Sequence, residues 1–298
     1  MFDNASRQVL EEHLGYERFV LNACAKAVQR AAGESSGIEI VVNDSVPHSI
    51  NIGITDYVGG EHGAAIVREM SPLAFSAAYK VLDMIVEWII VENRGSCPWP
   101  FSQKSAILNG PLQYPDFVGH DPQLQAIIVA LYREILPYRN AITHGQWGKN
   151  NNGELEFDFT RNGQHLCLTV PFETVLNFGR ASSLIAELLV TPTLQTQERL
   201  NCLRFLMDRL HVLHQQQAFN IPKPRHYRVI RRTDSADAPL SIDLDVIRQQ
   251  VGSQASGNPS TFDLRVERQS DAWEIPFAEI PSTRELCLDE TWNSFRVG

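Results

Sequence analysis

The run from Val81 to Val91 is apolar on nearly every side of a helix. Val81, Leu82, Met84, Ile85, Val86, Trp88, Ile89 and Ile90 leave no broad polar face. Such a helix must be surrounded, either at the centre of a bundle or at a subunit interface. The stretch carries Asp83 and Glu87 and falls far short of the roughly 20 residues that span a bilayer. The chain is therefore predicted to pack other helices around this one.

Segments able to do so lie on both sides. From about Ser6 to Ala32, Val9, Leu10, Leu14, Phe19, Leu21, Ala25 and Val28 recur at near-helical spacing, and Gly33 follows as a stop. The central helix is predicted over about Ala64 to Glu92, with a break near Pro72. A loop from Asn93 to Asp121 has room for a short helix around Ser102 to Leu108. Asp121-Pro122 then pairs a capping carboxylate with proline at the first helical position, and Leu124, Ile127, Ile128, Leu131 and Ile135 form one stripe. Pro137 should kink or restart that helix, and Gly145 should end it. Two further helices are predicted, Phe172 to Leu189 and Gln195 to Gln217.

Strands are expected in three places. Ile38 to Val42 and Ile50 to Ile54 are β-rich runs around a turn with Pro47. Glu154 to Phe159 and His165 to Val170 flank Asn162-Gly163, a hairpin signal. Beyond a linker at Asn220 to Arg225, Tyr227 to Arg232 and Phe262 to Arg268 read as short strands, and Gly252 to Pro259 as a mobile loop. The expected fold class is mainly α. Residues 1–219 form a helical bundle with β-hairpin insertions near 38–54 and 154–170, and residues 220–298 form a β-rich C-terminal extension.

Charge and cysteines narrow the function classes. Thirty-five Asp and Glu against 26 Lys and Arg give a net charge of −9 in 298 residues. Such a chain does not coat nucleic acid by bulk charge, so any activity on nucleic acid needs a local site. The five cysteines are odd in number and form no C-x-x-C pair, which favours neither a disulfide framework nor a zinc cluster. The first residues lack a basic region followed by an apolar one. The expectation is a cytoplasmic protein with reduced thiols, no cofactor, no metal and no membrane partner.

Polar chemistry inside an apolar frame is densest at Leu136-Pro137-Tyr138-Arg139-Asn140-Ala141-Ile142-Thr143-His144-Gly145. Asn140 and His144 are four apart and share a helix face, with Arg139 and Thr143 on the adjacent one. A guanidinium, an amide, a hydroxyl and an imidazole thus gather within about one turn. Histidine titrates near neutral pH and is a usable general acid or base. The structural alternative is a helix-end arrangement, with His144 meeting terminal carbonyls and Arg139 bridging to Glu134 or Asp83.

The R-x4-H spacing, with asparagine after the arginine and glycine after the histidine, resembles the HEPN superfamily. The likeness covers the helical core, roughly residues 64 to 217. It implies an α-helical bundle and, in many members, a metal-independent endoribonuclease. Arg139 and His144 would be catalytic, with Asn140 orienting the histidine or the phosphate. It further implies a homodimer in which two copies of the motif line one cleft, RNA as substrate, a possible regulatory protein partner, and a setting in toxin or anti-phage defence. The sequence departs from one pattern: some HEPN toxins carry an adenylylated tyrosine two places after the histidine, where this chain has Gln146.

The residue types suit the chemistry. RNA carries its own nucleophile, the 2′-hydroxyl. Cleavage needs a proton shuttle and donors for a charge-rich phosphorane, which histidine and arginine supply.

Other groups are read more plainly. Asp83 and Glu87 are expected to form a thin solvated stripe, the alternative being that they neutralise Arg139. His211 and His214 are expected to be a surface pair rather than metal ligands with Asp208 or Cys202. Glu11, Glu12, His13 and Glu17 form an exposed charged face. Gly59-Gly60-Glu61-His62-Gly63 lacks the Lys-Ser/Thr ending of a phosphate loop. Lys223, Arg225, His226, Tyr227, Arg228, Arg231 and Arg232 form one basic cluster, equally an RNA grip or a strand edge guarded by charge. No signal makes Cys97 a nucleophile.

Two functions follow. One is a HEPN-type endoribonuclease, whose Arg139 and His144 should face a shared polar groove. The other is a non-catalytic HEPN-like dimerisation and interaction protein, in which the pair would be sealed or hydrogen-bonded away.

Overall fold

The computed structural model describes residues 2–32, 37–43, 49–53, 69–150, 152–161, 163–233, 239–255, 258–269 and 271–297; over 25–53 and at 278 it describes backbone alone. The chain is mainly α and divides into two units. The first comprises Met1–Gly33, Val58–Pro192 and Leu206–Asn220, and the second Glu34–Tyr57, Thr193–Phe205 and Ile221–Gly298. Among the described residues, no helix is long and apolar enough to cross a membrane.

In the first unit, α2 (Ser71–Arg94) is the surrounded helix that its composition requires, and it packs on α1 (Asn4–Ala32) and on two later helices. Pro72 does not break α2. It stands in the first turn, where its missing N–H has no intrahelical partner to lose. Gly95 ends the helix at φ 76°, its amide reaching Val91 O at 2.7 Å. Residues 64–68 of the expected helix lie outside the described residues, as does the Gly59-to-Gly63 turn.

Helix α1 buries Leu10, Leu14, Leu21 and Cys24 on one face. Arg7 is also buried; it pairs with Asp116 at 2.7 Å and donates to the Leu189 carbonyl. Two short helices follow α2, α3 (Phe101–Ile107) and α4 (Asp116–His120).

Helix α5 (Pro122–Thr143) begins as its sequence requires, Asp121 accepting from the Leu124 amide at 3.0 Å. Its buried stripe is Leu124, Ile127, Ile128, Leu131, Tyr132, Ile135 and Ala141. The helix does not restart at Pro137 but runs on to Thr143. Strands β3 (Gly148–Lys149), β4 (Leu155–Arg161) and β5 (Gln164–Val170) make an antiparallel meander in which Arg161 pairs with Gln164; Asn162 of the expected turn lies outside the described residues. Phe157 anchors it, 5.2 Å from the Tyr138 ring and 6.0 Å from Phe75. Helix α6 (Phe172–Val190) completes the bundle; Leu21 lies 3.2 Å from where a Cβ on Gly179 would stand.

The expected helix over Gln195 to Gln217 is two helices, α7 (Gln197–Arg209) and α8 (His211–His214).

The second unit holds a six-stranded sheet in the order β11-β9-β8-β6-β1-β2. Its strands are β1 (Gly37–Asn43), β2 (Ser49–Gly53), β6 (Arg225–Arg232), β8 (Ser260–Arg268), β9 (Asp271–Ile275) and β11 (Arg296–Val297). Here the expected organisation needs correction. The 38–54 hairpin is not an insertion in the helical bundle: β1 pairs in parallel with β6, Ile38 opposite Tyr227. Periodicity marks a strand but carries no record of its distant partner. The C-terminal part also contains a helix, α9 (Leu244–Ala255), where short strands and loops were expected. Residues Gly252 to Ala255 of the expected mobile loop belong to it. Ile247, Val251 and Ala255 of α9 join Tyr227, Val229, Leu264 and Trp273 in the core. A small ladder of β7 (Leu240–Asp243) and β10 (Glu285–Leu288) adds Ile242 and Leu286 to it.

Candidate active site

The last turn of α5 fixes His144 by backbone geometry. The His144 amide bonds to Asn140 O at 3.0 Å. The Gly145 amide reaches Ile142 O at 3.2 Å and the Gln146 amide reaches Ala141 O at 2.8 Å. This pair of bonds is a Schellman motif, and it needs a left-handed residue after the helix cap. Gly145 supplies it at φ 68°. His144 is the cap residue itself, and it is exposed.

Beside it opens a cleft of about 370 Å³. Pro137, Asn140, Ala141, His144 and Gln146 line one side, and Phe159, Thr160 and Arg161 of β4 line the other. Strand alternation explains why Phe159 and Arg161 share the second wall. Phe157, Phe159 and Arg161 point to one face of β4. The two rings pack against Tyr138, at 5.2 and 6.1 Å between centroids. Arg161 carries that face beyond the apolar patch, to the level of the helix end.

The three residues expected to act together are only partly joined. Asn140 and His144 line the same cleft; Arg139 does not. Five residues turn an α-helix by roughly 140° net, so the Arg139 and His144 side chains leave α5 on different sides. The Arg139 guanidinium lies 6.0 Å from the Phe101 ring and donates from Nη1 to Asn140 Oδ1 at 3.2 Å. Among the described residues its hydrogen-bond partner is thus Asn140 rather than Glu134 or Asp83.

Below Phe101 lies a buried ionic cluster that corrects the reading of Asp83 as solvated. Asp83 and Lys104 are each 2 % exposed. Lys104 Nζ meets Asp83 Oδ1 at 2.8 Å and also bonds to Glu87. Tyr132 donates to Asp83 Oδ1 at 3.1 Å and Lys80 meets Oδ2 at 3.2 Å. Burial works against the Lys104 ammonium, but bonds to Asp83 and Glu87 outweigh it and raise its pKa. Burial and the Asp83 charge push the Tyr132 phenol up, so it remains a donor. A carboxylate on a surrounded helix demands such a partner, and α3 delivers it.

The histidine pair also differs from expectation. His211 is exposed, but His214 is 1 % exposed. His214 Nδ1 accepts from the Gln216 amide at 2.9 Å, so Nε2 carries the proton given to Met207 O, also at 2.9 Å. Burial lowers its pKa. No metal-holding group of three or more His, Cys, Asp or Glu occurs among the described residues. Burial raises the Cys97 thiol and pushes Cys202 up to about 11, which suits neither to act as a thiolate.

The basic strand β6 is matched by acids on β8 and β9 of the same sheet. Arg228 pairs with Glu274 at 2.7 Å, Arg232 with Glu267 at 2.9 Å, and His226 with Asp263 at 3.0 Å. The expected strand edge needs correction, because β6 lies between β8 and β1 and is paired on both sides; the ion pairs nonetheless engage Arg228, Arg232 and His226 within the sheet instead of leaving them open as an RNA grip.

Arg161 and Thr160 were not singled out from the sequence. The hairpin signal at Asn162-Gly163 placed them beside a turn, but nothing local placed that turn at the end of α5. No protein-family model, curated protein or solved structure matches this chain.

Proposed function

We propose that the chain is a HEPN-like endoribonuclease in which His144 moves the proton. The observation that carries this reading is that exposed His144 and half-buried Asn140 line one open cleft, joined there by an arginine. A strand of RNA presents its 2′-hydroxyl and phosphate together at such a cleft. The 2′-oxygen gives its proton to a base and attacks phosphorus. The P–O5′ bond breaks, and the 5′-oxygen leaves with a proton from an acid. The products are a 2′,3′-cyclic phosphate and a 5′-hydroxyl. His144 serves one of the two proton roles, and its counterpart in a second copy serves the other. Donors around the phosphate hold the developing charge. A toxin or defence setting accompanies this reading through the resemblance alone.

Labelled RNA incubated in EDTA with the parent and with His144→Ala tests it. The expected result is cyclic-phosphate ends from the parent alone. Equal cutting by both proteins, or none by either, removes the proposal.

The second reading, a non-catalytic HEPN-like dimerisation and interaction protein, draws on one observation. Arg139 leans on Phe101 and is hydrogen-bonded to Asn140 instead of lining the cleft. Its mark would be a stable dimer without RNA cleavage.

A further inference from the structure

The cleft beside His144 has a lining unusual for a protein of net charge −9. Its walls hold no carboxylate among the described residues, yet they hold four side chains with hydrogens to donate: Asn140, His144, Gln146 and Arg161. Arg161 supplies the full positive charge. Because a guanidinium only donates, the Asn140 atom facing Arg139 must be the amide oxygen. The amide NH2 is thereby kept as a donor on a residue that lines the cleft.

We infer that this cleft is a phosphate site in which Arg161 is the anchoring cation, and that Arg139 is a positioning residue acting through Asn140. The inference rests on the nuclease reading only for the origin of the phosphate, which there is the scissile group of RNA. An arginine fork matches two phosphoryl oxygens at once, while His144 and the Asn140 amide approach from the helix side. The split of roles follows from which arginine the fold brings to the histidine. Arg139 precedes His144 in the chain but leaves the helix elsewhere; Arg161 arrives from the hairpin.

The test is imidazole NMR of the full chain titrated with inorganic phosphate and with uridine 3′-monophosphate. The His144 signal is identified by its loss in His144→Ala. The parent should show a saturable shift of that signal. Arg161→Ala should weaken the response roughly ten- to hundred-fold, the usual worth of a charge-assisted bond. Arg161→Lys, which keeps the charge without the fork, should fall between. Arg139→Ala should leave phosphate affinity within about twofold while lowering kcat on RNA, the signature of positioning without uniform binding. Arg161 is exposed beside a hairpin turn, and circular dichroism and the melting temperature confirm that its variants fold.

No phosphate response in the parent, an unchanged response in Arg161→Ala, or a response lost in Arg139→Ala each overturns the inference. The two readings fail separately. His144-dependent RNA cleavage that Arg161→Ala leaves intact removes the anchoring role and keeps the nuclease. An Arg161-dependent phosphate response without RNA cleavage removes the nuclease and keeps the site.

Discussion

Arg139 donates to the side-chain oxygen of its chain neighbour Asn140, at 3.2 Å, and thereby fixes which end of that amide is left to donate. The bond makes Asn140 the link between the arginine and the cleft that holds His144. Replacing Asn140 with aspartate keeps the acceptor for Arg139 but removes both amide hydrogens and adds a negative charge. We expect Asn140→Asp to lower kcat/KM on RNA more than Asn140→Ala does, by roughly tenfold or more beyond it. Single-turnover assays at fixed salt decide this, and equal losses would detach the amide from phosphate binding.

Gly145 closes α5 with φ 68° and nothing within 4 Å of an added Cβ. Space is therefore ample and conformation alone forbids a side chain. Gly145→Val should cost about 1–2 kcal/mol through the left-handed penalty, and Gly145→Asn appreciably less. Urea unfolding measures both. Because the same turn holds His144, the valine variant should also cut RNA more slowly than its loss of stability accounts for.

The Asp83–Lys104 pair is buried on both sides, so removing one partner strands the other. Lys104→Met should destabilise the fold by about 3–5 kcal/mol. Glu87, whose side chain is 36 % exposed, has water as a substitute partner, and Glu87→Gln should cost far less. A melting temperature for Lys104→Met close to the parent's would contradict the burial seen here.

His214 gives the first unit an acid-sensitive lock. Its folded pKa lies below the ordinary 6.5 because burial disfavours the charged ring. The unfolded chain therefore takes up the proton first as pH falls. The stability tied to this ring is complete above about pH 6.5, declines as pH drops through the lower folded value, and is constant below it. Protonating Nδ1 would also remove the acceptor for the Gln216 amide. Unfolding midpoints from pH 8 to 5 should fall less steeply in His214→Gln than in the parent; parallel slopes would place the pH dependence elsewhere.

Strand β6 should contribute little to RNA affinity. Glu267 is held below the usual carboxylate range, first by its bond to Arg232 and then by Arg265, against the opposing effect of its partial burial. Neutralising Arg228, Arg231 and Arg232 should thus leave the salt dependence of RNA binding nearly unchanged, where three phosphate contacts would have lowered the log–log slope by about 2–3. Filter binding across a salt series measures the slope.

Signals confined to a few neighbouring residues were legible in the chain. Asp121 and Pro122 opened α5, Gly145 closed it, the strands on either side of Asn162-Gly163 paired as a hairpin, and the surrounded character of Val81 to Val91 placed α2 at the centre. Caps, turns and periodicity act over one or two turns of backbone, so the local sequence suffices to set them. The same information put Arg139, Asn140 and His144 on one turn and made them candidates.

Which groups meet across the fold was decided only in three dimensions. Asp83 found Lys104 at 21 residues' separation, β1 found β6, and the hairpin brought Arg161 to His144. Tertiary packing also turned Arg139 onto Phe101 and buried His214. Each of these outcomes is a desolvation or pairing energy realised between distant segments. No periodicity within either segment encodes it, because the favourable partner exists only once the two faces have been brought together.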